Sequence, residues 1–88
     1  MTGRQMLDRL MHRFRVREAI GQRIRKQREL LGMTTEAFSE TLGIWPKLQE
    51  NIEEGLCAAD ELYLQNAHRL GLDVTFILCG PSNGEARS

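Results

Sequence analysis

The sequence predicts an all-α protein, and three observations support this. Apolar residues recur at the three- and four-residue spacing of a helix face, as Met6, Leu10 and Phe14 do. Hydroxyl or carboxylate residues stand where such segments begin, and glycines stand where they end. No segment of any length has the alternating pattern of a β-strand. We therefore expect several short helices packed around one small core.

The composition is that of one small globular domain. The chain has 88 residues, of which 41% are hydrophobic and 27% are charged. It contains no apolar run long enough to span a membrane, and its basic start is not followed by the apolar segment of a signal peptide. We therefore expect a cytoplasmic protein with no membrane partner.

The number and spacing of the cysteines and histidines do not indicate a metal site. Cys57 and Cys79 are the only cysteines, and in a cytoplasmic protein they are expected to be free thiols. Neither has another cysteine or a histidine at metal-ligand spacing, and His12 and His68 are interpreted as single surface residues. The sequence predicts no metal, no cofactor and no small-molecule ligand.

Charge is distributed unevenly along the chain although the net charge is zero. Residues 1–28 contain nine basic and two acidic residues, which gives a net charge of +7. Residues 29–88 contain three basic and ten acidic residues, which gives −7. A strongly basic segment beside an acidic one indicates a surface for a charged partner.

Residues 1–16 are predicted to form a basic amphipathic extension before the main domain, which spans residues 17–80. One side of this helix is apolar, with Met6, Leu7, Leu10, Met11 and Phe14, and the other side carries Arg4, Asp8, Arg9 and Arg13. It could pack on the core, form a dimer, or bind a phosphate or membrane surface. Packing or self-association is favoured, because stripes of methionine and leucine are usually buried against protein.

The next helical pattern runs from Arg17 to Leu31 and ends at Gly32. Its apolar face contains Ile20, Ile24 and Leu31. No proline or glycine pair marks the junction with the extension, so one long helix and two helices are both possible. We expect a break near residues 15–17.

Residues 34–54 are predicted to form two short helices joined by a tight turn. Thr34 and Thr35 both offer hydroxyls that can cap the first helix, which is expected to start near Thr34. Gly43 supplies the left-handed position at which helices commonly stop. Pro46 suits the first position of the second helix, which ends before Gly55. This is the layout of a helix-turn-helix.

Two more helices are predicted after this pair. Asp60 caps a helix over residues 61–70, whose inner face consists of Leu62, Tyr63, Ala67 and Leu70. Asp73 caps a last helix over residues 74–78, and Gly80 and Pro81 end it. Residues 81–88 are small and polar, and we expect a flexible tail.

These features together resemble one known family. The chain is similar, over about residues 18–80, to the Cro/CI-type (XRE) helix-turn-helix family of phage repressors and bacterial transcriptional regulators. The resemblance is carried by six segments in the family's order: residues 28–34 (RELLGMT), Ser39 where alanine is usual, 43–44 (GI), 52–55 (IEEG), 68–74 (HRLGLDV) and 76–80 (FILCG).

The resemblance implies a lambda-repressor-like five-helix DNA-binding domain, here with an extra N-terminal amphipathic helix. It also implies a structural ion pair between Arg28 and Glu53, because an arginine before the first glycine pairs in the family with the glutamate after the recognition helix. Apart from the resemblance, the sequence has no phosphate-binding glycine loop and no nucleophile with a plausible base, so we expect no enzymatic activity.

By family position, the helix over residues 46–53 would enter the major groove of double-stranded DNA. The DNA-binding candidates are Thr35, Trp45, Pro46, Lys47 and Asn51. Lys47 can donate to guanine and Asn51 can pair with adenine. Thr35 and Glu54 occupy positions that face phosphate, whereas Trp45 is more simply interpreted as closing the turn between the two helices.

The acidity of this segment leaves two functions open. Residues 33–55 contain five glutamates and one base, Lys47, and such a surface repels DNA unless other cations compensate. In the first hypothesis, a DNA-binding regulator obtains those cations from the phosphate-contact candidates, which are Arg15, Arg17, Arg23 and Lys26. In the alternative, the fold serves as a protein–protein interaction module with weak or no DNA binding.

Regulators of this family commonly bind DNA as dimers, so we expect a homodimer. Two apolar surfaces could form its two-fold contact. One is the run Val74, Phe76, Ile77 and Leu78, and the other is the face between Met6 and Phe14.

Overall fold

The computed structural model describes residues 2–81, which form five α-helices and, within that range, no strand. The helices are α1 (Gly3–Leu30), α2 (Thr35–Leu42), α3 (Pro46–Glu53), α4 (Glu61–Arg69) and α5 (Val74–Cys79). The predicted all-α class is confirmed. The expected flexibility of the tail concerns residues 82–88, which lie outside the described range.

The predicted break near residues 15–17 is wrong, since α1 is one continuous helix of 28 residues. The expected extra N-terminal helix is therefore the first half of α1. Thr2 and Gln5 cap its start reciprocally: the Thr2 hydroxyl accepts from the Gln5 N–H, and the Gln5 side chain accepts from the Thr2 N–H. No proline interrupts the hydrogen-bond ladder after that, so the helix continues into the domain.

The backbone of α1 lies directly on the end of α3. A Cβ atom added to Gly21 would lie 2.5 Å from the carbonyl oxygen of Glu53. A Cβ added to Gly55, whose φ of +82° also favours glycine, would lie 2.7 Å from Cα of Glu18. These two glycines allow the helices to approach this closely.

The predicted caps of the shorter helices are confirmed. Thr34 Oγ1 accepts from the Ala37 N–H at 3.1 Å, and Gly43 ends α2 in the left-handed conformation. Asp60 accepts from the Tyr63 N–H at 2.8 Å at the start of α4. Asp73 caps α5 in the same way.

The hydrophobic core is formed by all five helices and the turn before α5. Its buried members are Ile24, Phe38, Ile52, Tyr63, Ala67, Leu72 and Ile77. The expectation that Leu62 lies on the inner face of α4 is wrong, because its side chain is 66% exposed. Tyr63 and Ala67, which were predicted for the same face, are buried. Leu62 precedes Tyr63 by one residue and therefore points about 100° away from it around the helix axis.

One side of α1 holds α5 in place. Nη1 of Arg23 donates to the carbonyl oxygen of Ile77 at 3.1 Å, and the guanidinium lies against Gly80. Four residues further along α1, Oε1 of Gln27 accepts from the N–H of Asp73 at 3.2 Å. These bonds fix both ends of α5, a helix too short to be stable alone.

No helix in residues 2–81 combines the length and the apolar character needed to cross a membrane.

Candidate nucleic-acid interface

A buried ion pair joins α1 to α3, as predicted for Arg28 and Glu53. Nε of Arg28 donates to Glu53 Oε2 at 2.8 Å, and Nη2 donates to Oε1 at 3.0 Å. The two side chains are only 9% and 8% exposed. Arg28 also donates to the Met33 carbonyl at 2.7 Å. The hydrogen bonds to Glu53 raise the pKa of Arg28, so the guanidinium stays charged despite its burial.

Two further side chains, Gln49 and Tyr63, extend this ion pair into the core. Gln49 was not predicted from the sequence, and Tyr63 was predicted only as an inner-face residue of α4. Nε2 of Gln49 donates to Glu53 at 2.6 Å, and Oε1 of Gln49 accepts from the Tyr63 hydroxyl at 2.7 Å. Burial raises the pKa of Tyr63 well above its ordinary value. The spacing of Gln49 and Glu53, four residues apart on one helix, is the signal that could have revealed this network.

The turn between α2 and α3 depends on a small buried residue. Ser39 is fully buried, and its hydroxyl donates to the carbonyl of Thr35 at 2.6 Å. Ser39 also accepts the Ile44 N–H through its own carbonyl at 3.0 Å, which closes the turn after Gly43. The relative position of the two helices is therefore fixed by backbone and core contacts.

The side of α3 away from the core carries polar residues at positions i, i+3, i+4 and i+7, which are Lys47, Glu50, Asn51 and Glu54. Lys47 is exposed and Asn51 is half-buried. Pro46, also half-buried, occupies the first position of the helix. Lys47 and Asn51 thus lie on one face of a helix, where both can reach the same partner.

Trp45 does not close the turn, and that interpretation is wrong. Its side chain is 81% exposed, whereas the preceding Ile44 packs against the core. Trp45 is the N-cap residue of α3, but an indole cannot accept a hydrogen bond from the first turn, and no side chain caps this helix. A large exposed aromatic residue therefore stands beside the start of α3.

The phosphate-contact candidates divide into two groups. Arg15, Arg17 and Lys26 are exposed on α1. Arg23 is half-buried and bonded to the end of α5, so its role in the structure is to hold that helix.

Arg25 was not singled out from the sequence, yet it lies closer to the helix pair. Together with Thr35, Glu50 and Glu54, it lines a shallow cleft of about 250 Å³ between α1, α2 and α3. Its exposed side chain also bonds to Glu29 at 3.3 Å. Its position three residues before the ion-paired Arg28 was the available signal, since residues three apart share a helix face.

The surface of the helix pair remains acidic. Glu53 is neutralised by Arg28, but four other glutamates are exposed on α2 and α3, namely Glu36, Glu40, Glu50 and Glu54. Lys47 is the one base on these two helices. Among the exposed cations of α1, Arg25 borders this surface through the cleft.

The structure also bears on the histidines and cysteines of residues 2–81. Within residues 2–81, no group of three or more His, Cys, Asp and Glu side chains could hold a metal ion. His12 and His68 are exposed, and Cys57 and Cys79 are free thiols.

No protein family, no curated protein and no solved structure matches the chain.

Proposed function

We propose that the protein is a sequence-specific DNA-binding transcriptional regulator of the Cro/CI type, with α2 and α3 as its helix-turn-helix. The main support is the outer face of α3, where Lys47 and Asn51 stand one turn apart. These side chains read guanine and adenine edges, respectively, in the major groove. The buried network of Arg28, Glu53 and Gln49 holds α3 rigidly, as a recognition helix requires.

In this proposal α3 enters the major groove and its neighbours hold the DNA backbone. Thr35, at the first turn of α2, places its hydroxyl and the helix N-terminus near a phosphate. Trp45 and Pro46 supply apolar contact to a sugar or a thymine methyl group beside the bases that Lys47 and Asn51 contact.

The exposed glutamates oppose this binding, so cations from α1 have to offset them. Arg25 borders the cleft that contains Thr35, and Arg15, Arg17 and Lys26 extend the positive charge along the helix. Each phosphate that a cation neutralises releases condensed counterions, and the affinity then falls by about 0.9 log units per log unit of salt. The proposal therefore requires a steep salt dependence.

The test is selection from a randomised duplex library, followed by fluorescence anisotropy with the selected duplex over a series of salt concentrations. The variant Lys47→Ala/Asn51→Ala should lose about 2–6 kcal/mol of specific binding, since each good base contact contributes about 1–3 kcal/mol. Arg69→Ala is the matched control, because it removes an exposed cation from α4. No duplex binding at low salt would refute the proposal.

A second pair of variants tests the electrostatic argument alone. Glu36→Gln/Glu40→Gln removes two exposed charges from α2 without touching α3. Non-specific affinity should rise, by about 1 kcal/mol or less per charge at the protein surface. An unchanged affinity would mean that DNA does not approach α2.

A second function is supported by a different observation, which is the exposed apolar face of the first half of α1. Met6, Leu7 and Leu10 are 55%, 58% and 53% exposed. Such a face on a helix is typical of protein–protein contact. In this alternative the fold is a protein-interaction module, and the chain would self-associate tightly without binding a duplex at low salt.

A further inference from the structure

The first half of α1 extends beyond the domain as an amphipathic helix. We call residues 3–17 the α1 arm. All of its residues are exposed except Phe14, which is half-buried. One side carries the apolar stripe of Met6, Leu7, Leu10, Met11 and Phe14, and the arm has five arginines and one aspartate, a net charge of +4.

The apolar stripe continues the face by which α1 packs on its own domain. Intervals of seven residues separate Leu7, Phe14, Gly21 and Arg28, so all four lie on about the same side of the helix. Gly21 and Arg28 contact the end of α3. The domain ends near Glu18, where Gly55 touches the α1 backbone, and the stripe runs on past that point.

An apolar groove with acidic residues in its lining lies between α4 and α5. It has a volume of about 660 Å³ and is lined by apolar side chains, with acids and a histidine among them. We call it the α4–α5 groove, and its main lining residues are Glu61, Leu64, Leu72, Asp73, Val74 and Leu78. Its lining contains no lysine and no arginine.

We propose that the α1 arm of one copy docks in the α4–α5 groove of a second copy of this chain. The dimensions agree, because the stripe from Met6 to Phe14 is about 12 Å long and the α4 wall from Glu61 to His68 is about 10 Å long. The charges also agree: Arg9 and Arg13 flank the stripe and would face the acids of the groove.

Two alternative contacts are less favourable. The arm cannot reach the groove of its own chain, because α1 is a continuous helix and its second half is held against α5 by Arg23. Pairing of two arms would bring two charges of +4 together, and like charges at close range destabilise a contact. When two copies dock reciprocally, each basic arm lies against the acidic residues of the other copy's α4–α5 groove, Glu61 and Asp73.

The experiment is sedimentation velocity of the full chain and two variants. Leu10→Asp places a charge in the stripe, and Leu78→Asp places one in the groove. Both leucines are about half exposed, so folding should survive, and circular dichroism checks this. In a reciprocal dimer each variant loses both contacts, and its dimer should weaken by at least about 100-fold, since one leucine contact contributes about tenfold or more.

Mixing the two variants gives the sharpest result. A heterodimer has one intact contact, between the wild-type arm of one chain and the wild-type groove of the other, and should be at least about tenfold tighter than either variant's own dimer. Leu30→Asp is the matched control, because Leu30 is an exposed leucine outside both surfaces and its dimer should equal that of the wild type.

Several outcomes would overturn the inference. If arms pair with each other, Leu78→Asp dimerises normally and mixing rescues nothing. If grooves pair with each other, Leu10→Asp dimerises normally. A wild-type chain that stays monomeric from micromolar to submillimolar concentration means that the arm does not serve a second copy. None of the substituted residues is a DNA-binding candidate, so this test and the duplex test fail independently.

Discussion

Removing one partner of the Arg28–Glu53 ion pair should destabilise the protein more than any surface substitution. Arg28→Met removes two hydrogen bonds to Glu53 and one to the carbonyl of Met33. It leaves a carboxylate that is 8% exposed with Gln49 as its donor. A buried charge without its counter-ion cannot be solvated by water, and this is the main cost.

The magnitude follows from the burial of the pair. Loss of one member of a buried ion pair costs about 3–5 kcal/mol, and a domain of this size has a total stability of about 4–13 kcal/mol. A loss of about 4 kcal/mol lowers Tm by roughly 16–32 °C. The matched control is Arg25→Met in the exposed pair with Glu29, where 63% and 55% of the side chains are exposed. It should cost less than about 1 kcal/mol.

The assay is thermal and urea unfolding of a double-mutant cycle with Arg28→Met, Glu53→Gln and the double variant. Because the charge of each residue is tolerated only beside the other, the double variant should be more stable than the sum of the single losses predicts, by more than about 1 kcal/mol. Additive losses within about 0.5 kcal/mol, or a Tm of Arg28→Met as high as that of the control variant, would refute this account.

Three other predictions concern single positions. Gly21→Ala should destabilise the protein by about 1–3 kcal/mol, because its Cβ would collide with the last turn of α3. Gly3→Ala, with open space around it, should leave the stability unchanged or increase it. Urea unfolding measures both variants. Trp45→Ser should stabilise the protein by about 0.5–1 kcal/mol, because it supplies the cap that α3 lacks, and an unchanged or lower Tm contradicts this. The raised pKa of Tyr63 means that its phenol keeps its proton in the folded state at a pH where the unfolded state has lost it, so stability should fall as pH rises above about 10. Ultraviolet absorbance of this single tyrosine should show ionisation only as the chain unfolds. Ionisation of the folded protein near pH 10 contradicts the expected shift.

The bounds of α2, α4 and α5 could be predicted because short-range chemistry decides them. Thr34, Gly43, Asp60 and Asp73 act through hydrogen bonds or backbone angles within a few residues, so their effects are visible in sequence. The Arg28–Glu53 pair spans 25 residues and was predicted only through a family resemblance.

The errors concern long-range packing. The helix α1 continues past residues 15–17 because no proline interrupts its hydrogen-bond ladder. The close fit of Gly21 against α3 is a long-range contact that residue periodicity does not contain. Whether Trp45 or Ile44 points inward depends on the direction in which the chain leaves Gly43. For the same reason, the sequence does not show that Arg23 bonds to α5 or that Arg25 borders the cleft, although the two are only two residues apart on opposite sides of α1.

The continuity of α1 has a consequence for its dynamics. A segment of about 12–15 residues is only marginally helical in water, so the first half of α1 depends on the second half for its order. Amide hydrogens should therefore exchange fast near Gly3 and slowly near Ile24, with a gradient between them. If a second copy covers the α1 arm, its amide hydrogens should exchange more slowly and the gradient should become smaller. Exchange rates along α1 therefore report whether the arm is bound.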